Sequence, residues 1–375
     1  MIRVLHIVSS MNRGGIEAFL MNIYRNIDRS KIQFDFLLHT EEECAYNDEI
    51  RELGGIIYSI PPRSKGYQKN KKALESFFKE HRSYKIIHQH VSSLSYITPV
   101  KVAKKYNIPI RIIHSHNVNY SGSKVHKYLH IFNKLQISKY VTSIRACSQK
   151  ALDWVTSSRV MKKVDCQIIN NAIDIDLYKY NIDKRKKYRQ ELNLEGNVIF
   201  GHIGRFHKQK NHSFLIDIFK QIQKQLSNSK LMLIGSGAEE DAIKLKVEKY
   251  NLQDKVIFTG NRSDVPDLFQ AMDVFVFPSL YEGLGIVLIE AQAAGLKCFT
   301  SKEEVPKEVG ITDLVNFVSL NKSAKEWADE IMENLNYFRD DTSHLIESKE
   351  YGIKQVTKQL ENFYISSSKD CGENN

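Results

Sequence analysis

Short apolar segments alternate with amphipathic helical patterns along most of this chain. In the first half, the apolar segments predict strands at residues 4–9, 34–39, 56–60, 85–90, 110–114 and 141–147. Helical patterns lie between them at residues 16–27, 46–53, 70–81, 94–105 and 124–139. This alternation favours parallel sheets, because a strand needs a crossover helix before the next parallel strand. The sequence therefore predicts an α/β protein.

A second series of the same kind follows an interruption near residues 166–197. Its strands are predicted at residues 198–203, 230–234, 256–259, 274–277 and 297–300, and its helices at 212–226, 238–250, 264–271, 285–294 and 323–336. With 375 residues, the chain is long enough for two domains. We expect two Rossmann-like, doubly wound domains, residues 1–180 and 181–344, facing each other across a cleft. We expect the last helix, about residues 345–365, to pack back on the N-terminal domain, and residues 366–375 to be disordered.

The composition is that of a globular protein, with 42% hydrophobic and 26% charged residues. No apolar run is long enough to span a membrane, and the N-terminus reads as a first strand and not as a signal peptide. The five cysteines are scattered and contain no CxxC pair, so we expect a reducing, cytoplasmic location without disulfides.

Positive charge is concentrated in one part of the first half. Residues 101–163 contain thirteen Lys or Arg and one acid, Asp153. Within this segment, Val125, Leu129, Phe132 and Leu135 lie near one face of a helical pattern. Such a helix could rest on the inner face of an anionic membrane or hold a pyrophosphate-linked lipid, or its apolar stripe could pack in the core under a solvated basic face. Nucleic acid is a weaker alternative, because no binding motif accompanies the charge.

The segment from Leu280 to Gly295 carries the strongest functional pattern. The predicted strand 274–277 runs into a turn with Gly283, Leu284 and Gly285 that opens a helix. Glycines let backbone N–H groups approach a ligand, and a helix N-terminus favours an anion. Two carboxylates, Glu282 and Glu290, flank the turn and could accept hydrogen bonds from sugar hydroxyls. The pattern indicates a nucleotide-sugar site.

Other loops of the second half supply complementary groups. Arg205 can bind a phosphate with two parallel hydrogen bonds, and Lys210 adds a second cation in the same loop. Gly235 permits close approach to a nucleotide, and the loop containing Arg262 could contact its base. Each feature alone is also compatible with an ordinary surface loop.

In the first half, two loops that follow strands carry candidate residues. Gly14 and Gly15 open a helix after the first strand and could bring N–H groups to a phosphate or a sugar. His114, His116 and Asn117 follow another strand, where a histidine can bind a hydroxyl or move a proton. No carboxylate or cysteine lies at metal-ligand spacing from these histidines, so we expect no metal.

Taken together, these motifs resemble glycosyltransferase family 4, a family of retaining enzymes with the GT-B fold. Glu282 through Glu290 is similar to the family's E-x7-E signature. Five motifs occur along the chain in the same order as in the family. They are Gly14-Gly-Ile-Glu17, His114-Ser-His-Asn117, Asn171-Ala-Ile-Asp174, Gly204-Arg205 with Lys210-Asn211, and Glu282 with Glu290. The chain looks most like the EpsF-type enzymes of exopolysaccharide and capsule clusters. It departs from the family at Ala172, where glycine is usual, and at Leu284, where many members carry Phe.

The resemblance implies a role for each of these residues. Arg205, Lys210 and the main-chain N–H groups of Gly15, Leu284 and Gly285 would hold the diphosphate of the donor. The predicted donor site also includes Gly14, Gly235, Arg262 and Gly283. Glu290 would bind the ribose and Glu282 the transferred sugar. His116 would act near the anomeric carbon, with His114 and Asn117 nearby. The implied reaction is hexosyl transfer, with retention and without a metal, from a nucleotide sugar to a lipid-linked saccharide on a polyprenyl diphosphate. The resemblance favours UDP as the carrier nucleotide, with GDP as the alternative.

Two other functions are compatible with the same residues. A nucleotide-sugar epimerase can have the same two-domain fold and would release an epimerised nucleotide sugar without an acceptor. A non-catalytic protein that senses nucleotide sugars, or scaffolds the polysaccharide machinery, would bind the donor without transferring it.

Overall fold

A computed structural model describes residues 1–12, 14–118 and 124–370. The chain forms two compact units. The first contains Met1–Ala172 and the segment from Ile353 onward, and the second contains Ile173–Gly352. Each unit is an α/β structure built on one parallel sheet.

The sheet of the first unit has the order β3-β2-β1-β4-β5-β6-β7, and every pair of neighbours is parallel. Its strands are β1 (Ile2–Val8), β2 (Ile32–Leu38), β3 (Ile57–Ser59), β4 (Ile86–Val91), β5 (Ile110–Ser115), β6 (Ser143–Ala146) and β7 (Asp165–Ile168). Its helices before the second unit are α1 (Gly15–Asn26), α2 (Asn47–Glu52), α3 (Tyr67–Glu80), α4 (Thr98–Lys105), α5 (Lys124–Gln136), α6 (Gln149–Val155) and α7 (Ser158–Met161).

The sheet of the second unit has the order β10-β9-β8-β11-β12-β13 and is also parallel throughout. Its strands are β8 (Val198–Ile203), β9 (Ser229–Ile234), β10 (Val256–Phe258), β11 (Val274–Phe277), β12 (Lys297–Ser301) and β13 (Val315–Val318). Its helices are α8 (Ile175–Tyr178), α9 (Ile182–Glu191), α10 (His212–Gln225), α11 (Glu240–Lys249), α12 (Val265–Ala271), α13 (Ile286–Ala293), α14 (Ala324–Glu333) and α15 (Ser343–Ser348).

Both sheets are doubly wound, as predicted. In each sheet, the first strand of the unit pairs with the second on one side and with the fourth on the other. The strand order therefore reverses beside β1 in the first unit and beside β8 in the second. In open α/β sheets, ligands bind at this switch point, outside the carboxyl ends of the strands.

The C-terminal helix α16 (Ile353–Asp370) belongs to the first unit. Its buried residues Ile353, Val356, Leu360 and Tyr364 recur at helical spacing and join the core formed by β1, β2 and α1. The helix completes that core, which confirms the prediction that the chain returns to its N-terminal part.

Several predicted boundaries differ from the structure. The predicted final helix is two helices, because Glu350 has a φ of 61° and the Ile173 N–H bonds Tyr351 O between α15 and α16. The predicted interruption at 166–197 contains β7, α8 and α9, and β13 was not predicted. The units divide at 172/173 and 352/353, where we had expected 180/181 and 344/345.

The predicted disordered tail is wrong for residues 366–370, which continue α16. Residues 371–375 lie outside the described part of the chain. Among the described residues, no helix has the length and hydropathy needed to cross a membrane.

Candidate active site

Two loops meet at the switch point of the second sheet. The loop after β8 ends in a 3₁₀ turn, Lys208–Lys210, and the loop after β11 leads into α13. Lys210 Nζ lies 2.7 Å from Glu282 Oε1, and the Leu280 N–H donates to Gln209 O at 2.8 Å. The sequence predicted both charged residues for the site, and the structure joins them in an ion pair.

This ion pair is shielded from water. Glu282 is 6% exposed, and the Lys210 ammonium lies 4.5 Å from the centroid of the Phe277 ring. An ammonium group has three N–H donors, and Glu282 accepts one of them. Lys210 can therefore keep its contact with Glu282 and still donate to an anionic ligand.

Glycines allow the loops after β8 and β9 to pack closely. A side chain at Gly235, whose φ is +135°, would place its Cβ 2.2 Å from Gly204 O. A Cβ at Gly237 would lie 2.4 Å from Phe206 O. The sequence had predicted that Gly235 lets a nucleotide approach. In the structure, the atoms that approach Gly235 belong to the neighbouring loop.

The turn before α13 provides a helix N-terminus at the same edge of the sheet. Gly285 precedes the helix with a φ of 88°, a conformation that a side chain would strain. Leu284 is buried and holds the turn against the domain, and Gly283 lies beside it. The first N–H groups of a helix have no partner within it and carry partial positive charge, so this turn can bind an anion.

Glu290 lies in α13 and accepts a hydrogen bond from the Tyr178 hydroxyl at 3.0 Å. Burial of the carboxyl group raises the pKa of Glu290 to about 7, and the bond from Tyr178 opposes this shift. Tyr178 was not predicted. It comes from α8, far from Glu290 in sequence, and no local pattern marks it.

The two predicted arginines differ in their contacts. Arg205 is exposed and, within the described residues, has no hydrogen bond or ion pair. Arg262 forms a bidentate pair with Asp264 at 2.8 and 2.6 Å. The Arg205 guanidinium is therefore available to a ligand, whereas Arg262 would have to leave Asp264.

The first unit carries a cluster of five buried histidines at the switch point of its own sheet. The cluster consists of His6 on β1, His88 and His90 on β4, His114 on β5 and His116 just after it. Residues two apart on a strand lie on one face, so His-x-His on two neighbouring strands places four rings together. The sequence prediction used only the motif of His114 and His116. It missed the same His-x-His motif on β4, formed by His88 and His90.

Burial keeps these histidines neutral. It lowers the pKa of His6 and of His116 to about 3, and it lowers the pKa of His88, His90 and His114 well below the ordinary value. His116 is 8% exposed, and the Asn171 side chain acts on it as a hydrogen-bond partner that raises its pKa against the larger effect of burial. His116 is therefore a neutral imidazole.

The remaining predicted residues of the first unit have different surroundings. His114 is fully buried and stacks on His116 at 4.1 Å, so in this structure it supports His116 and has no surface for a ligand. The Asn117 side chain bonds the N–H of Val118. Gly14 precedes α1 in an extended conformation, and a Cβ at Gly15 would have no described atom within 4 Å, which leaves open space at the helix N-terminus.

In the described part of the chain, two groups of three histidines have ring nitrogens within 4.8 Å of one another: His6, His88 and His90, and His90, His114 and His116. A metal lies in the plane of each imidazole that binds it. However, His88 stacks on His90 with 21° between the planes, and His114 on His116 with 25°. Two rings stacked face to face, with centroids at 4.5 and 4.1 Å, cannot both hold one ion in their ring planes. The expectation of a metal-free site remains a prediction.

Comparison with solved structures defines the class of fold. HepE of Anabaena, solved in complex with UDP, matches 98% of this chain and 100% of its own with a TM-score of 0.78 at 19% identity. WaaG, a glycosyltransferase involved in lipopolysaccharide biosynthesis, matches 96% and 99% with a TM-score of 0.73 at 16% identity. The chain therefore has the GT-B fold.

Sequence comparison then defines the family. Residues 13–177 match the model of Glycosyltransferase Family 4, and residues 184–347 match that of Glycosyl transferases group 1. EpsF of Bacillus subtilis, named as a glycosyltransferase, is 32% identical over 98% of both chains. An Escherichia coli relative, the UDP-Gal:alpha-D-GlcNAc-diphosphoundecaprenol alpha-1,3-galactosyltransferase, is 26% identical over 72% of both. The chain belongs to glycosyltransferase family 4.

Proposed function

We propose that this protein is a retaining glycosyltransferase of exopolysaccharide or capsule synthesis. It moves a sugar from a UDP-sugar to a hydroxyl of a lipid-linked oligosaccharide. The observation that carries the proposal is the shielded Lys210–Glu282 pair, which lies at the switch point of the second sheet beside the N-terminus of α13. This arrangement has both a cation for a diphosphate and a carboxylate for a sugar.

The second unit binds the donor. Arg205, Lys210 and the N–H groups at the start of α13 neutralise the diphosphate as it departs with the electrons of the C–O bond. Glu290, held by Tyr178, accepts hydrogen bonds from the ribose hydroxyls. The positive charge for the leaving group comes from side chains and the helix terminus, so we expect EDTA to leave the activity unchanged.

The transfer proceeds with retention by attack from the face that the diphosphate leaves. The acceptor oxygen forms the new bond to the anomeric carbon, and its proton passes to the departing phosphate. Glu282 does not act as a covalent nucleophile, because its carboxylate is paired with Lys210. Its role is to orient Lys210 and the sugar hydroxyls. His116, in the first unit, supplies a neutral imidazole to the reacting sugar.

The UDP donor and the lipid-linked acceptor are supported by the Escherichia coli relative, whose name specifies UDP-Gal and a diphosphoundecaprenol-linked sugar. The place in polysaccharide synthesis is supported by the Bacillus subtilis relative and by the Staphylococcus aureus enzyme CapH, named for capsular polysaccharide biosynthesis. CapH is 24% identical over 98% of this chain.

A panel of UDP-, GDP- and ADP-sugars tests the donor. Ligand binding raises apparent stability by about 2.7 kcal/mol at a concentration one hundred times Kd, so a UDP-sugar should raise Tm more than the others. NMR of the product formed on a polyprenyl-diphosphate saccharide should then show the donor's anomeric configuration. A free epimerised nucleotide sugar would identify an epimerase. Tight binding without transfer to any acceptor would identify a regulator.

The first unit has a surface suited to an anionic membrane, where such an acceptor resides. Along α5, the apolar side chains face solvent: Val125, Tyr128, Leu129, Ile131, Phe132 and Leu135 are all exposed, with Leu135 at 77%. The helix instead contacts the protein through polar residues. His130 accepts from the N–H of Leu94 at 3.1 Å, and the Asn133 side chain donates to Leu94 O at 2.7 Å.

This arrangement bears on the two predictions for the helix. The alternative in which the apolar stripe packs in the core is wrong, because the stripe is exposed. Exposed apolar side chains flanked by Lys124 and Lys127 suit an anionic lipid surface, where the apolar groups enter the interface and the cations bind headgroups. We therefore assign α5 to the inner face of the plasma membrane, with the protein in the cytoplasm.

Vesicle flotation tests this assignment. Vesicles with anionic lipid should retain the wild-type protein, and the double variant Phe132→Asp, Leu135→Asp should lose most of that binding. Phe338→Asp is a matched control, because Phe338 is 86% exposed and lies in the second unit. Equal retention of all variants, or a change in oligomeric state without a change in lipid binding, would contradict the membrane assignment.

A further inference from the structure

The buried histidines of the first unit form two kinds of contact. His6 Nδ1 lies 2.9 Å from His90 Nε2, and His90 Nδ1 lies 2.8 Å from His116 Nε2. These three rings are joined edge to edge by hydrogen bonds. His88 and His114 instead stack on the faces of His90 and His116, with ring centroids at 4.5 and 4.1 Å. The result is a chain of three imidazoles with a supporting ring beside two of them.

The positions of the protons along this chain are linked. A neutral imidazole has one nitrogen that donates and one that accepts. If His90 donates from Nδ1 to His116, then its Nε2 must accept from His6. The proton of His116 then stays on Nδ1. In the reverse arrangement, His116 Nδ1 is unprotonated and His6 Nε2 carries a proton.

The two arrangements differ at the buried end of the chain. His6 Nε2 has no partner among the described residues and is shielded from water. A buried donor without an acceptor is costly, because its N–H loses hydration and gains nothing in return. The arrangement in which His6 Nε2 is unprotonated has no such donor at His6. It places the His116 proton on Nδ1 near the Asn171 side chain, whose Oδ1 has no other partner among the described residues and which raises the pKa of His116 as a hydrogen-bond partner.

We propose that His90, supported by His6, is a positioning residue that fixes the ring orientation of His116 and holds it as the Nδ1–H tautomer for its role beside the reacting sugar. The inference deepens the proposed function and rests on it. None of the three hydrogen-bonded rings needs to be charged, and a neutral ring is less costly to bury than a charged one. Burial keeps every ring in the chain neutral.

The first unit offers a matched control for a test. His88 and His90 lie on the same strand, are both buried and have similar stacking partners. However, His88 Nδ1 bonds the Tyr364 hydroxyl at 2.7 Å and takes no part in the chain to His116. Replacing either histidine should therefore disturb packing similarly, but only His90 should alter His116.

The kinetic experiment compares His90→Leu, His90→Asn and His88→Leu in the full-length protein. Removing an orienting partner typically costs about 10–100-fold, and we expect such a loss in kcat for His90→Leu, with little change in the donor KM. Asn places an amide near the position of His Nδ1, so His90→Asn should recover most of kcat. His88→Leu should lower Tm while leaving kcat near that of the wild type. Equal losses of kcat in the two Leu variants, or no recovery by Asn, would overturn the inference.

A spectroscopic experiment is independent of activity. In protein with ¹⁵N-labelled histidine, the two-bond couplings of His116 should place the proton on Nδ1 in the wild type and in His90→Asn. A wild-type proton on Nε2, or stoichiometric zinc bound to the histidine cluster, would overturn the inference. If no nucleotide sugar is turned over, the proposed function fails, and the tautomer still decides the inference. If Arg205→Ala abolishes transfer but His90→Leu does not alter it, the function stands and the inference fails.

Discussion

The two units of this protein have the same strand order at their centres, but one has neutral side chains at its switch point and the other has an ion pair. The first unit places a cluster of five buried histidines beside β1, and burial lowers the pKa of each. The second unit places the Lys210–Glu282 pair beside β8. The buried histidines of the first unit are neutral. The Lys210 ammonium of the second unit lies beside a carboxylate of opposite charge.

This difference has a physical basis. An isolated buried imidazolium costs more than a neutral imidazole, so burial without an acid removes the proton. A buried ammonium next to a carboxylate keeps its proton, because the attraction offsets part of the cost of leaving water. The second unit also has two buried histidines with lowered pKa, His202 and His212, close to Lys210 in sequence. Both units therefore bury neutral histidines, and the difference is the ion pair of the second unit. The same topology thus supports a neutral histidine cluster in one unit and a cation for an anionic ligand in the other.

The largest expected effect is on acid stability. Below pH 6.5, the unfolded chain binds protons at the clustered histidines that the folded first unit does not bind. The free energy of unfolding should therefore fall as pH falls, by up to about 1.4 kcal/mol per pH unit for each histidine. Trp154 lies in the first unit and Trp327 in the second, so single-tryptophan variants report each unit by fluorescence in denaturant.

A pair of variants and a comparison of the two units test this prediction. His114→Phe should make the pH dependence of the first unit less steep, whereas substitution of His344, which lies in the second unit, should leave it unchanged. If both units lost stability equally between pH 7 and pH 5, the histidine cluster would not dominate the acid response.

The next largest effect is on catalysis in the second unit. Arg205→Ala and Lys210→Ala should each lower kcat by about 10²–10³, because each removes a donor from developing negative charge. Lys210→Ala should also destabilise the protein by about 3–5 kcal/mol, because it leaves Glu282 buried without its cation.

Arg205 is exposed, so Arg205→Ala should leave Tm unchanged, and Lys208→Ala, in the same loop, should alter neither quantity. Steady-state kinetics and thermal unfolding measure these effects. A wild-type kcat in Arg205→Ala or in Lys210→Ala would refute the assignment of that residue.

A smaller effect is expected in donor binding. The pKa of Glu290 is about 7, and the ionised carboxylate accepts hydrogen bonds that the neutral acid accepts less well. The Kd for UDP should therefore rise as pH falls below 7, by at most about tenfold per pH unit. Calorimetric titrations at several pH values measure it. Glu290→Gln should bind more weakly at pH 8 and lose this pH dependence, and a wild-type Kd that is constant from pH 8 to pH 5.5 would contradict the ribose assignment.

The smallest effect concerns Tyr178. Its hydroxyl donates to the Glu290 carboxylate and thereby lowers the pKa of that group. Tyr178→Phe should raise the pKa further, by up to about one unit, and should move the midpoint of UDP binding to higher pH. Tyr180→Phe, two residues away, should not move it. A midpoint shifted to lower pH would show that Tyr178 does not stabilise the ionised form.

Much of the fold followed from local patterns. The runs 198–203 and 274–277 were predicted with the bounds that the structure gives, because apolar strands between helical patterns have a distinct period. Short or polar elements were missed. β7 is four residues long and partly polar, and β13 is equally short, so neither stood out from its surroundings. Their place in the sheet depends on pairing with β6 and β12.

The amino-acid sequence by itself determined the doubly wound architecture, the family and the charged residues of the second unit. These follow from hydrophobic period and from motifs that are continuous in the chain. Only the tertiary structure decided which groups become partners: Lys210 with Glu282, Tyr178 with Glu290, and His90 with His116. It also decided that the apolar stripe of α5 faces outward. Partnership and exposure depend on distances between segments far apart in sequence, and a local pattern carries no information about those distances.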